Sequence, residues 1–179
     1  MTTTIEQTTL AGGCFWCIES AFNNVKGIES AVSGYMGGET SDPTYEKVCS
    51  GTTGHAEVVQ LSYDPSVITY REILEIFFAL HNPTQLNRQG NDTGTQYRSG
   101  VFFHTEEQQQ AALSIIDEIN QDNIWPDPVV TEVTAKSEFY SGEDMHQGYF
   151  NRNPENPYCQ AVVAPKLAKF KKTFVDKLK

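Results

Sequence analysis

The amino-acid sequence predicts an α+β fold, with helices packed on a largely antiparallel or mixed sheet. Three features predict it. Segments such as HAEVVQLSYD alternate apolar and polar residues with the period of a half-buried strand. Segments such as TYREILEIFFALHN repeat apolar residues at helical spacing. The two kinds interleave from a strand–helix–strand unit onward, with glycine, proline and asparagine at the joins.

Each element has its own local reason. Thr3 to Leu10 is Thr-rich and alternates as a strand does. Gly12-Gly13 turns the chain into CFWCIESAFNNV, a helix that Gly27 stops. IESAVSGYMGG reads as a strand running into a glycine turn, and DPTYEKVCSGTTG as a short helix and a loop. HAEVVQLSYD is the next strand, and TYREILEIFFALHN a strongly amphipathic helix. Residues 82–97 form a polar loop of the length that often carries function. YRSGVFFH is a strand. TEEQQQAALSIIDEIN is a helix capped by Thr105, with acids in its first turn. PVVTEVTA is a strand, SGEDMHQGYFNRNPENPYC is irregular, and PKLAKFKKTFVDKL is a last helix with Pro165 near its start.

At 179 residues the chain is expected to form one domain, residues 1–179, with a real core. No apolar run reaches the roughly 18 residues that span a membrane, and MTTTIEQTTL lacks the basic and apolar regions of a signal peptide. The expected location is cytoplasmic. A formal charge of −10 argues against a nucleic-acid backbone as partner. The basic residues gather in KLAKFKKTFVDKLK, which reads as a solvated helix face.

Four cysteines stand at 14, 17, 49 and 159. In a reducing compartment they are core thiols, metal ligands or redox groups rather than structural disulfides. The stretch AGGCFWCIES places Cys14 where a glycine turn opens a helix, a position that favours an anion. The helix end supplies about 0.3–1 kcal/mol, occasionally about 2, and so lowers the thiol pKa by about one unit or less. Something else must assist the reaction. Four readings of the pair stay open: buried core thiols, a redox dithiol, a zinc site completed by Cys49 and His55, and a nucleophile paired with His55, His81, His104 or His146. Glu57 opens an apolar strand, and a carboxyl buried there would act as a general acid. Asp92 and Tyr97 flank a glycine turn in GNDTGTQYRSGVFF.

Together GGCFWCIES, YEKVCSGTTGHAEV, NDTGTQYRS and EDMHQGYFNRNPENPYC resemble, in order and spacing, the A-type peptide methionine sulfoxide reductases over about residues 8–165. The resemblance implies a two-layer α/β plait (a ferredoxin-like core, mixed sheet with packed helices) with a C-terminal segment wrapped over the active site. It implies reduction of the S epimer of methionine sulfoxide, free or in proteins. Cys14 matches the nucleophile, Glu57 the proton donor, and Phe15 and Trp16 the aromatic walls around the substrate methyl. Tyr45 and Tyr97 match the hydroxyls that bind the sulfoxide oxygen, and Asp92 the supporting carboxylate. No bound cofactor or metal is implied. Thioredoxin or another dithiol is the expected electron donor, and the chain is expected to act as a monomer.

The chemistry agrees with this mapping. A sulfoxide sets an apolar methyl beside a strongly polar oxygen, so its site needs aromatics and donors together. An ionised Glu57 would raise the Cys14 pKa, so the two titrations are expected to be linked, with Glu57 protonated before substrate arrives. The sulfenic acid left on Cys14 condenses with a second thiol. Cys159 is the first choice, because a Pro/Asn-rich segment can swing. Cys17 is the rival or a relay, since it must bend a helix to reach Cys14. Cys49 reads as structural. The tail departs from the family pattern in holding one cysteine, and in Gly142 and Met145. His146 and Tyr149 are expected to hold the tail against the core. A cysteine hydrolase and a sulfoxide-sensing module are the alternatives.

Overall fold

In the computed structural model, residues 4–90, 92–143, 146–153 and 155–178 are described; Thr3 and Met145 lie outside them. The strands are β1 (Glu6–Ala11), β2 (Ile28–Met36), β3 (Ala56–Tyr63), β4 (Arg88–Gln89), β5 (Asp92–Thr93), β6 (Gly100–Phe103), β7 (Glu132–Ala135) and β8 (Tyr140–Ser141). The helices are α1 (Phe15–Asn23), α2 (Tyr45–Cys49), α3 (Tyr70–Leu80), α4 (Glu106–Gln121), α5 (Tyr149–Arg152) and α6 (Ala164–Thr173). Six strands form one mixed sheet in the order β7-β6-β1-β3-β2-β8. β6 and β7 pair in parallel and the other neighbours are antiparallel. β1 and β2 are therefore parallel but separated by β3.

One cap, Thr105, agrees with its sequence signal, and the structure adds a second at Thr69. Thr69 and Glu72 form a reciprocal capping box at the start of α3, and Thr105 accepts from the Gln108 N–H at the start of α4. The loop at 82–97 is more ordered than its composition implies. Two short strands pair in it, and the Gln89 amide exchanges hydrogen bonds with the Asn82 backbone at 2.9 and 3.0 Å. The 141–159 stretch, read as irregular, likewise starts on the last residue of β8 and contains α5.

Strand alternation decides which side chains meet the helices. Leu10, Val59, Leu61, Tyr63 and Val101 join residues of α1, α3, α4 and α6 in the main core. Ala11, Met36, Ala56, Val58 and Phe102 form a smaller core on the opposite face. Burying each large apolar side chain contributes about 1.5–3 kcal/mol. Glu57 has the parity of Val59 and Leu61, so the pattern that fills the core also turns a carboxyl into it. No described helix is long and apolar enough to cross a membrane.

Candidate active site

Cys14 is the N-cap of α1, with φ −64° and ψ 126°, and is buried. The turn before it is tightly packed. A Cβ on Gly12 would meet the His81 ring at 3.1 Å, and one on Gly13, where φ is +87°, would meet Gln89 Cγ at 2.7 Å. Only glycine fits that second position. Loop 82–97 thus buttresses the nucleophile position from behind.

Glu57, on β3, is 1% exposed. Its Oε1 accepts the Phe15 N–H at 3.2 Å, one residue beyond Cys14. Its Oε2 is buried with no hydrogen-bond partner among the described residues. Burial pushes the carboxyl up to about 8, with Asp92 and Cys17 adding to the effect and the Phe15 N–H opposing it. The acid is therefore protonated at neutral pH, and its proton has no internal acceptor at Oε2. Burial also pushes the Cys14 thiol well above its ordinary value, with Cys17 and Glu57 adding to that rise. The resting centre is a neutral acid beside a neutral thiol.

A cavity of about 240 Å³ opens here, lined by Cys14, Trp16, Tyr45, Asp92, Tyr97, Asn156 and Tyr158. Tyr45 begins α2, and its N–H donates to the Glu143 carboxylate at 3.1 and 3.3 Å. Tyr97 ends the 3-10 turn Thr95–Tyr97. Burial and Glu57 both raise the pKa of these phenols, which keeps them as O–H donors. Asp92 accepts the Tyr158 O–H at 2.5 Å.

Trp16 is fixed by the tail. Its ring stacks on Tyr149 with centroids 4.0 Å apart, and its indole N–H donates to His146 Nδ1 at 3.2 Å. Phe15 is fully buried and packs on Tyr35, Tyr45 and His146, behind the cavity wall. The tail is anchored by Gly148 N–H donating to Glu19 at 2.7 Å and by Gln147, which both accepts from and donates to the Ser33 backbone.

The other cysteines take distinct places. The Cys17 N–H donates to the Cys14 carbonyl at 3.3 Å, and the neighbouring Cys14 thiol holds the Cys17 thiol below its ordinary value. Because Cys14 is an extended N-cap and not an interior helical residue, bridging it to Cys17 requires less bending than a helical pair would. Cys159 is fully buried at the head of the π-helical turn Cys159–Val163, where its thiol senses Cys17. Cys49, read as structural, is exposed at the end of α2.

Three of the four histidines are tied through their bonded ring nitrogens to residues outside the cavity, whereas His146 bonds to Trp16 through Nδ1 and has a buried Nε2 with no hydrogen-bond partner among the described residues. His55 bonds to Gly38 N and Thr40 O, His81 to Phe77 O and Ser99 Oγ, His104 to Thr9 Oγ1, and His146 to Trp16. A base beside Cys14, which a hydrolase would need, is not among these pairings. Asn156 and Tyr158 are the cavity residues that sequence reasoning missed. Their one signal was adjacency to Cys159 in NPENPYC.

A buried thiol, phenols and an aromatic wall line one small cavity, with the protonated Glu57 carboxyl held one hydrogen bond from α1, an arrangement suited to thiol chemistry. The family model for peptide methionine sulfoxide reductase matches residues 6–178. A peptide methionine sulfoxide reductase MsrA of Saccharolobus solfataricus is 53% identical over 175 residues, covering 98% of each chain. Mxr1 from Saccharomyces cerevisiae in its reduced form superposes with a TM-score of 0.80 at 38% identity, covering 87% of this chain and 89% of that one. Mxr1 in complex with Trx2 superposes with a TM-score of 0.57 at 28% identity, covering 83% and 89%. The chain belongs to the peptide methionine sulfoxide reductase family, a family of oxidoreductases.

Proposed function

We propose that this chain reduces methionine S-sulfoxide, free or in proteins, with Cys14 as nucleophile and Glu57 as proton donor. The sulfoxide methyl lies against Trp16, with Phe15 behind, and its oxygen faces Tyr45, Tyr97 and Glu57. Asp92 supports the site. The observation that carries this reading is Glu57: a buried, protonated carboxyl one hydrogen bond from α1, with an unpartnered oxygen. Protonating the sulfoxide oxygen makes its sulfur electrophilic. The Cys14 thiol gives up its proton, which restores the Glu57 carboxyl, and its sulfur bonds the substrate sulfur. The oxygen then passes to Cys14 as the substrate S–O bond and the new S–S bond break, so that methionine leaves and Cys14 is a sulfenic acid. The substrate sulfur gains two electrons and Cys14 loses two.

A second thiol then condenses with the sulfenic acid and releases water. Cys159 is the proposed final partner. The hydrogen bond from the Cys17 N–H to the Cys14 carbonyl, and the effect of Cys17 in raising the pKa of the Cys159 thiol, support Cys17 as a relay. A dithiol donor such as thioredoxin restores the cysteines. The sheet order β6-β1-β3-β2 with α1 and α3 as crossovers supports a plait core. The bonds from Glu143, Gln147, Gly148 and Tyr158 to earlier elements support a wrapped tail. A main core built from residues of α1 through α6 supports a single domain.

The test is a turnover assay on the two sulfoxide epimers with a dithiol reductant, followed by a free-thiol count and disulfide mapping after oxidation without reductant. Turnover of the S epimer with loss of two thiols is expected. Turnover with no thiol oxidised would overturn the mechanism, and a Cys159→Ser variant that still cycles with thioredoxin would overturn the role of Cys159.

A further inference from the structure

The basic C-terminal helix is not used by the proposed reaction, yet it is unusually placed. In a chain of formal charge −10, α6 carries Lys166, Lys169, Lys171 and Lys172. None of these ammoniums forms an ion pair among the described residues; the nearby Lys177 is held by Glu72. Beside α6 lies a cavity of about 340 Å³, whose lining includes Trp125, Phe170, Phe174, Lys166 and Lys169 and, among the described residues, no Asp or Glu. Aromatic walls with a cationic edge are how interfaces combine an apolar centre with a charged rim.

This surface adjoins the redox thiols. Cys159 heads the π-helical turn that runs straight into α6. α6 packs on α1, which carries Cys17, and the Lys166 charge is felt at the Cys17 thiol. His81 and Gln89, which also line this cavity, buttress the Gly12-Gly13 turn. An acidic protein is repelled by most of this molecule and attracted here.

We propose that the lysine-edged cavity beside α6 docks an acidic surface segment of the dithiol protein that returns electrons to the cysteines. The inference rests on the sulfoxide reductase reading. In the exchange a donor thiolate attacks the enzyme disulfide, its S–S bond breaks, and a mixed disulfide forms. The donor's second thiolate displaces the enzyme sulfur, leaving the donor as a disulfide and the enzyme as a dithiol that takes up two protons. Docking at α6 holds the donor near Cys159 and raises the rate of productive encounter.

The experiment compares an acidic thioredoxin with dithiothreitol as reductants, with methionine S-sulfoxide as oxidant. In Lys169→Glu/Lys172→Glu, kcat/KM for the thioredoxin is expected to fall about tenfold or more at low salt, while turnover with dithiothreitol stays within about twofold. Lys169→Arg/Lys172→Arg restores thioredoxin use. At roughly 0.5 M salt, where screening shortens to a few Å, the difference between wild type and the Glu variant closes. Unchanged thioredoxin kinetics at low salt, or an equal loss with both reductants, would overturn the docking proposal. Absence of turnover with either reductant in the wild-type protein would instead overturn the reductase reading beneath it.

Discussion

Replacing Glu57 by Gln separates the structural cost of the buried acid from its chemical use. In the folded protein its pKa is about 8 against an ordinary 4.5. The folded state therefore holds the proton more tightly than the unfolded chain does. Its contribution to stability is fully present below about pH 4.5 and is lost as pH rises to about 8. Between those limits the loss is about 1.4 kcal/mol per pH unit. Near pH 7 the wild-type protein has given up about 3 kcal/mol, a large share of a typical domain's stability. Glutamine keeps the oxygen that accepts the Phe15 N–H and carries no proton to lose. Glu57→Gln should thus unfold like wild type near pH 4.5 and be about 3 kcal/mol more stable near pH 7. Urea titrations at both pH values, followed by intrinsic fluorescence, measure this. Taking the difference between variant and wild type cancels other buried acids such as Glu19. The same variant should lose about 10²–10⁴-fold in a single-turnover sulfoxide assay. A stability gap that does not change with pH would refute the reasoning, because the acid would then not be held protonated by burial.

Two further outcomes follow from the site. Alkylation of Cys14 should titrate above the ordinary thiol value in wild type and shift to lower pH in Glu57→Gln, where no carboxylate opposes the thiolate; superimposable curves would remove the linkage. Gly13→Ala should cost the roughly 1–2 kcal/mol of a left-handed residue plus the clash with Gln89. Gly90→Ala, with φ +60° and nothing within 4 Å, should cost the backbone strain alone, so equal losses in thermal unfolding would refute the close packing behind Cys14.

The motif around Cys14 illustrates how far local sequence reaches. A glycine turn before an amphipathic run is enough to put a thiol at a helix start, because turn and helix are both decided within a few residues. The longer strands and helices were legible for the same reason, and the capping residue Thr105 acts only on its own first turn. The short elements at β4, β5, β8 and α5 were not, since each is too brief to show a period.

What the sequence determined by itself is the order of the longer strands and helices, the thiol at the head of α1 and the candidate acid at the head of β3. Only the tertiary structure decided what those residues meet. Alternation in HAEVV allows Glu57 to face either water or core, and pairing of β3 between β1 and β2 under α1 resolved it toward the core. Tyr158 reaches Asp92 across 66 positions, and His146 reaches Trp16 across 130. Contacts at such separations depend on how whole elements pack, which no local pattern encodes. The same packing sets the dielectric around Glu57, so the residue was visible in the sequence but its proton was not.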